Sequence, residues 1–131
     1  MSRRKARVLA IQYIYSKEFN EDNEPDEFLG YMNGLKKESD IQLSKEIMKG
    51  VLENLYDIDS IIDKHIQNSK ERMGIVERCI LRAGIYEMLY LNNLPNPIII
   101  NEYIDITKEL SKESSKAVIN AILDKAKEEK V

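Results

Sequence analysis

The chain has 131 residues, 43% hydrophobic and 33% charged, with a formal net charge of −3. That is the size and balance of one globular domain able to bury a core without disulfides or metals, and no apolar run approaches the ~20 residues that span a bilayer. The lone cysteine (Cys79) and lone histidine (His65) leave most nucleophilic and zinc chemistries without parts, and a single thiol suits a reducing compartment. Gln12 and Ser16 interrupt the apolar residues after the basic start, so no secretory signal is expected, and the expected location is cytoplasmic.

Helical period dominates, and no stretch alternates as a strand does. A first helix is predicted from an N-cap at Ser2 to about Phe19, apolar around most of its circumference and therefore enclosed by neighbours. After a polar loop at 20–24, Pro25 fits a first helical turn, followed by Phe28, Leu29, Met32 and Leu35. The next helix is predicted to start near Ser39 or Asp40, with the stripe Leu43, Ile47, Val51 and Leu55. Asp57 or Asp59 can cap a short helix carrying Ile61, Ile62 and Ile66, and 67–74 reads as the main internal linker.

A strongly apolar helix is predicted over 75–91. Its line Val76, Ile80, Ala83, Glu87, Leu91 places one acid in an apolar stripe. A buried carboxylate needs a partner, so Glu87 is expected to be paired or to sit at an interface. Residues 92–95 break the chain, and Asn96-Pro97 opens a helix with the stripe Ile99, Tyr103, Ile106 and Leu110. After a turn at 111–114, the last helix runs from about Ser115 and buries Ile119, Ile122, Leu123 and Ala126. The expected fold is all-α, about seven helices, in one domain over 1–131 with helical subdomains of about 1–70 and 71–131.

Charge is sorted along the chain. Residues 1–17 hold Arg3, Arg4, Lys5, Arg7 and Lys17 without an acid, and residues 18–27 hold Glu18, Glu21, Asp22, Glu24, Asp26 and Glu27 without a base. Cations in the first turns of a helix oppose its dipole, at roughly 0.3–1 kcal/mol each when exposed, so stability alone would place acids there. Arg3, Arg4 and Arg7 share an arc of about 100°, which lets their guanidinium groups converge on phosphate. Two readings stand: a site for RNA or another polyanion, or a solvated basic end. Tyr13 and Tyr15 lie close by and read either as core or as stacking partners for an unpaired base. His65 reads as a surface residue and Cys79 as a core thiol. Asp57, Asp59 and Asp63 miss calcium-loop spacing and lack its central glycine. No metal site, cofactor site or catalytic constellation is expected, and the chain is not expected to be an enzyme.

Several strings resemble one family. Arg3-Arg4-Lys5-Ala6-Arg7 followed by Ala10, Gln12 and Tyr15, then Val76-Glu77-Arg78, Ile80-Leu81-Arg82 and Tyr86-Glu87, then Pro95 with Ile100-Asn101-Glu102 through Lys108, and finally 120–125, resemble in order the signatures of the NusB transcription antitermination family. The resemblance implies two small helical bundles packed crosswise. It implies binding to single-stranded boxA RNA of ribosomal transcripts, pairing with the ribosomal protein NusE, and entry into an RNA polymerase antitermination complex, without a cofactor. It leaves monomer and homodimer open for the free protein. Carried over by position, Arg3, Arg4, Lys5 and Arg7 would grip RNA, with Gln12 and Tyr15 as secondary contacts. Glu77, Arg82, Tyr86 and Glu87 would serve partner contact, or simply lock helices together. The chain departs from the pattern in the last helix, where Ala117, Val118 and Ala121 replace the usual lysine, aromatic and glycine, so an aromatic stacking contact there would be lost. A related module is fused to ribosomal RNA cytosine methyltransferases, but no cofactor-binding domain follows in this sequence. A third reading is a protein adaptor that uses helix faces, and it would not need cations at a helix N-terminus.

Overall fold

The computed structural model describes residues 2–19, 21–32, 34–66 and 73–131. Among these, seven α-helices and one π-helical turn account for the regular structure and there is no strand: α1 (Ser2–Lys17), α2 (Pro25–Met32), α3 (Glu38–Glu53), α4 (Leu55–Ile66), α5 (Ile75–Ile85), α6 (Asn96–Leu110) and α7 (Ser115–Ala126). The position preceding Ser2 and most of the 67–74 linker lie outside the described residues.

The enclosed first helix is as its pattern demands. Ala6, Leu9, Ala10, Ile11, Tyr13 and Ile14 are all buried, because α1 lies against α3 on one side and against α5, α2 and α6 elsewhere. α2 is a short flap whose Phe28 meets Tyr13 edge-on at 5.4 Å, and Lys45 of α3 pairs with its Asp26 at 2.8 Å. One continuous core runs from α1 and α3 through α5 to α6 and α7.

Three local features add to what the periodicity of the sequence predicts. Only Asn54 separates α3 from α4, so Asp57 and Asp59 lie within α4 rather than capping it. Asn54 ends α3 with both its backbone N–H and its side-chain amide donating to the Gly50 carbonyl, at 3.1 and 2.8 Å. Second, α4 packs mainly on α5 and α7 and only lightly on α3, fixed by Arg82–Asp59 (2.8 Å) and Arg78–Asp63 (2.8 Å) ion pairs. Third, the long apolar helix does not stay α-helical. Residues Tyr86–Leu91 continue α5 as a π-helical turn, closed by the Asn92 N–H on the Glu87 carbonyl at 2.8 Å with Asn92 in the left-handed region (φ 49°). The wider winding shifts the side chains of 86–91 out of α-register.

Candidate nucleic-acid interface

Three helix starts meet at one groove of about 910 Å³, lined by Arg3, Arg4 and Arg7 of α1, by Lys37, Ser39 and Asp40 at the start of α3, and by Asn93, Leu94, Ile98 and Glu102 around the start of α6. Lys37 and Pro95 hold the cap positions of α3 and α6, and neither supplies a side-chain cap. The first turn of α6 holds no acid, so its positive dipole end favours an anion arriving in the groove, whereas α3 already carries Glu38 and Asp40 in its first turn.

The α1 cations divide by depth. Arg3 is 51% exposed; its Nη1 donates to the Ser39 carbonyl at 3.1 Å and lies 3.5 Å from Asp40 Oδ1. Arg4 is 37% exposed and pairs with Asp105 at 3.2 Å and Glu102 at 3.8 Å. Lys5 is exposed and lines a neighbouring groove of about 640 Å³ with Arg4, Val8, Gln12, Met32 and Glu109. Arg4 thus joins the two grooves, and Gln12 carries a buried side-chain oxygen with no hydrogen-bond partner. Tyr15 lies further along α1, half-buried and edge-on to Phe19 at 5.0 Å. It lines a small apolar dimple with Ile11, Val76 and Leu110.

Arg7 departs from the expected convergence of three surface guanidinium groups. It is 3% exposed and forms the floor of the groove. Its Nε and Nη2 donate to the two oxygens of Glu87 at 2.8 and 2.7 Å, and its Nη1 reaches Glu102 at 3.5 Å. Tyr103, itself fully buried, donates its hydroxyl to Glu87 Oε1 at 2.8 Å. Burial works to lower the Arg7 pKa, but hydrogen bonds to Glu87 and the charge of that carboxylate outweigh it and hold the guanidinium above its ordinary value. Burial, reinforced by the Glu87 charge, pushes the Tyr103 phenol well up, so it remains a donor. Glu87 is therefore the paired acid its apolar surroundings require.

Of the four partner candidates, Arg82 and Glu87 are buried, while Glu77 and Tyr86 are half-buried. Glu87 is 0% exposed and Arg82 is buried, so neither reaches a docked protein: an uncompensated charge at either place would be costly, and each is consumed by an internal pair. Arg82 holds Asp59 at 2.8 and 3.0 Å and Glu18 at 3.0 Å. Burial lowers its pKa, and those carboxylates more than restore it. The neighbouring Cys79 thiol is pushed by burial up to about 11, which marks it as an inert core thiol. Tyr86 stacks on Tyr90 at 5.1 Å, and the edge of its ring that carries the hydroxyl lies against α3 where Gly50 has no side chain; a Cβ there would collide with the ring. Glu77 takes hydrogen bonds from Ser111 and, at 3.1 Å, from Ser115, pinning the α6–α7 turn to the start of α5. Burial works to raise its pKa, and these hydroxyls with the backbone N–H groups of Glu77 and Gly74 hold it below the usual carboxylate value.

Sequence reasoning missed Lys37, Ser39, Asp40, Asn93, Leu94 and Ile98. The doublet Lys36-Lys37 just ahead of a helix is the one local signal that could have flagged the α3 contribution. The others join the groove only through tertiary packing. Among the described residues no cluster of His, Cys, Asp and Glu could hold a metal ion, and no helix is long and apolar enough to cross a membrane.

Comparison with known proteins gives a consistent assignment. A family model described as the NusB family matches residues 4–128. The transcription antitermination protein NusB of Thermodesulfovibrio yellowstonii is 37% identical, covering 98% of this chain and 94% of that protein. Its counterpart from Clostridium botulinum is 36% identical, covering 95% and 96%. Among solved structures, T. maritima NusB superposes with a TM-score of 0.82 at 28% identity, covering 98% of this chain and 92% of that one. A crystal structure of antitermination factors NusB and NusE in complex with dsRNA gives 0.82 at 26% identity, with 96% of both chains covered.

Proposed function

The chain belongs to the NusB family, and on that premise we propose that it is an RNA-binding transcription antitermination factor. It takes boxA-type single-stranded RNA of ribosomal transcripts together with NusE, within an RNA polymerase antitermination complex in the cytoplasm, and performs no enzymatic step. The observation that carries this reading is the convergence of three helix N-termini with Arg3, Arg4 and Lys37 on one groove. A stability-driven surface would not collect cations there, and phosphate oxygens satisfy both the dipoles and the charges.

Arg3, Arg4, Lys5 and Lys37 position the backbone. Arg7 acts from beneath, holding α1 in place through Glu87. Gln12, whose side-chain oxygen lacks a partner, and Tyr15 lie along the continuation of the strand beyond Arg4, where polar and aromatic groups read bases. NusE contact falls on the α1–α5 surface around the Tyr15–Val76 dimple and the adjacent Glu77. Arg82, Tyr86 and Glu87 support that surface from inside.

The test is a fluorescence-anisotropy titration of boxA-type RNA against a scrambled strand and a duplex, with and without NusE. Selective binding of the boxA strand, strengthened by NusE, is expected, and the coupling must be reciprocal. Equal affinity for all three RNAs would reduce the protein to a polyanion binder. No binding even with NusE would contradict the RNA reading and favour a protein adaptor.

A further inference from the structure

Asp40 is an unusual residue to find in a groove built for phosphate. It is 1% exposed, at the third position of α3, and it lines the same wall as Arg3 and Lys37. Its Oδ1 has Arg3 at 3.5 Å, longer than a hydrogen bond, and its Oδ2 is buried with no hydrogen-bond partner. Glu87 shows what a settled buried carboxylate looks like in this fold, with both oxygens on Arg7 and one also on Tyr103. An acceptor shut from water and left unsatisfied works against folding. An acid near a helix start is favoured by the dipole, yet Asp40 uses neither a cap hydrogen bond nor a close ion pair to justify its burial. Groups left in this state point to a ligand that completes them.

The surroundings define that ligand. Arg3 and Lys37 beside Asp40 suit the phosphates of a strand, and Ile98, 48% exposed, with Leu94 offers an apolar face to a base. Resting on the RNA-binding reading above, we infer that Asp40 is a specificity-determining residue that accepts hydrogen bonds from the Watson–Crick edge of one unpaired guanine. Guanine is the base whose edge sets two donors, N1–H and the 2-amino group, side by side to match the two carboxylate oxygens. Uracil presents one N–H between two carbonyls that repel a carboxylate. Adenine and cytosine each present one amino group next to a ring acceptor. In the free protein Arg3 lies beside Asp40 on the groove wall, 3.5 Å from its Oδ1. On binding, Arg3 turns to a phosphate and the start of α1 shifts on α3, which opens both carboxylate oxygens to the base.

The experiment replaces each guanine of a boxA-type RNA in turn with inosine, which lacks only the 2-amino group, and measures binding to the native chain and to Asp40→Asn. The native chain loses roughly tenfold in affinity at one position. Asp40→Asn keeps the shape but offers one acceptor and one donor, so it binds the guanine strand more weakly and shows no inosine penalty at that position. Its melting temperature should stay close to that of the native chain, since Asp40 makes no close hydrogen bond that the amide would break. Asp40→Ser, which removes the carboxylate altogether, gives the same loss of discrimination should the Asn variant fold poorly. The same inosine penalty in native and variant proteins, or no sensitive position in either, overturns the assignment of Asp40 while leaving RNA binding intact. Failure of the native chain to bind any of the strands overturns the RNA reading and this inference with it.

Discussion

Within five residues of α1 the same side-chain type serves two unlike ends. At the rim of the groove Arg3 and Arg4 stay half in water, and their partners, a backbone carbonyl and the carboxylates of Asp40, Asp105 and Glu102, sit at 3.1–3.8 Å. Pairs of that kind contribute little to stability, typically ~0–1 kcal/mol, and are readily exchanged for another anion. At the floor Arg7 is locked bidentate to Glu87, 80 residues away in sequence, in a fully satisfied buried network with Tyr103. Side-chain identity therefore does not decide whether a cation binds ligand or binds the fold; depth and the quality of its internal partner do. A rim cation is available because its present partners are poor, and a floor cation is unavailable because its partner is nearly ideal.

The comparison breaks most visibly at the floor. Arg7→Ala leaves the Glu87 carboxyl buried with only Tyr103 beside it, and should lower unfolding stability by about 3–5 kcal/mol, read as a shift of the urea midpoint. Replacing Arg7 and Glu87 together with apolar residues of similar volume should recover most of that loss. A native-like midpoint for Arg7→Ala alone would show that the pair does not anchor α1. A smaller effect, about 1–3 kcal/mol from overpacking, is expected for Gly50→Ala, whose new methyl group meets the Tyr86 ring. A second change of Tyr86 to Leu should relieve it, so that the double variant is more stable than the two single losses would predict; simple additivity would refute the contact.

The smallest expected effect concerns Glu77, whose pKa is held low in the folded chain. Its contribution is complete above its unfolded value and fades as pH falls through the lower folded value. Changing Ser111 and Ser115 to Ala removes two of the hydrogen bonds that depress it. The double variant should then lose melting temperature less steeply than the native chain between about pH 5 and 3. Parallel acid limbs for the two proteins would remove Glu77 from the account.

Much of this organisation could be read in the residues. Helical periods and punctuation marked α1, α3, α6 and α7, with Asn96-Pro97 and Ser115 at the starts of the last two. The need of Glu87 for a partner also followed from its apolar stripe. What could not be read was which cation would answer it. Arg3, Arg4 and Arg7 lie on one arc of α1, and only the arrival of Glu87 and Tyr103 from distant segments turns Arg7 inward. The π-helical turn that carries Glu87 was hidden for a related reason, because five-residue closure onto Asn92 has no signature distinct from α-helical spacing. Asp40 looked like an ordinary residue at a helix start, and its burial depends on α1 crossing the first turn of α3.

The most direct test of the division between rim and floor is the salt dependence of RNA binding by the native chain and by the Arg3→Ala, Arg4→Ala double variant. Three or four phosphate contacts give a log–log slope of about −2 to −3 for a single strand, and removing two of them should flatten it by about 1.4. Identical slopes for the two proteins would contradict the account, because the rim cations would then carry no phosphate.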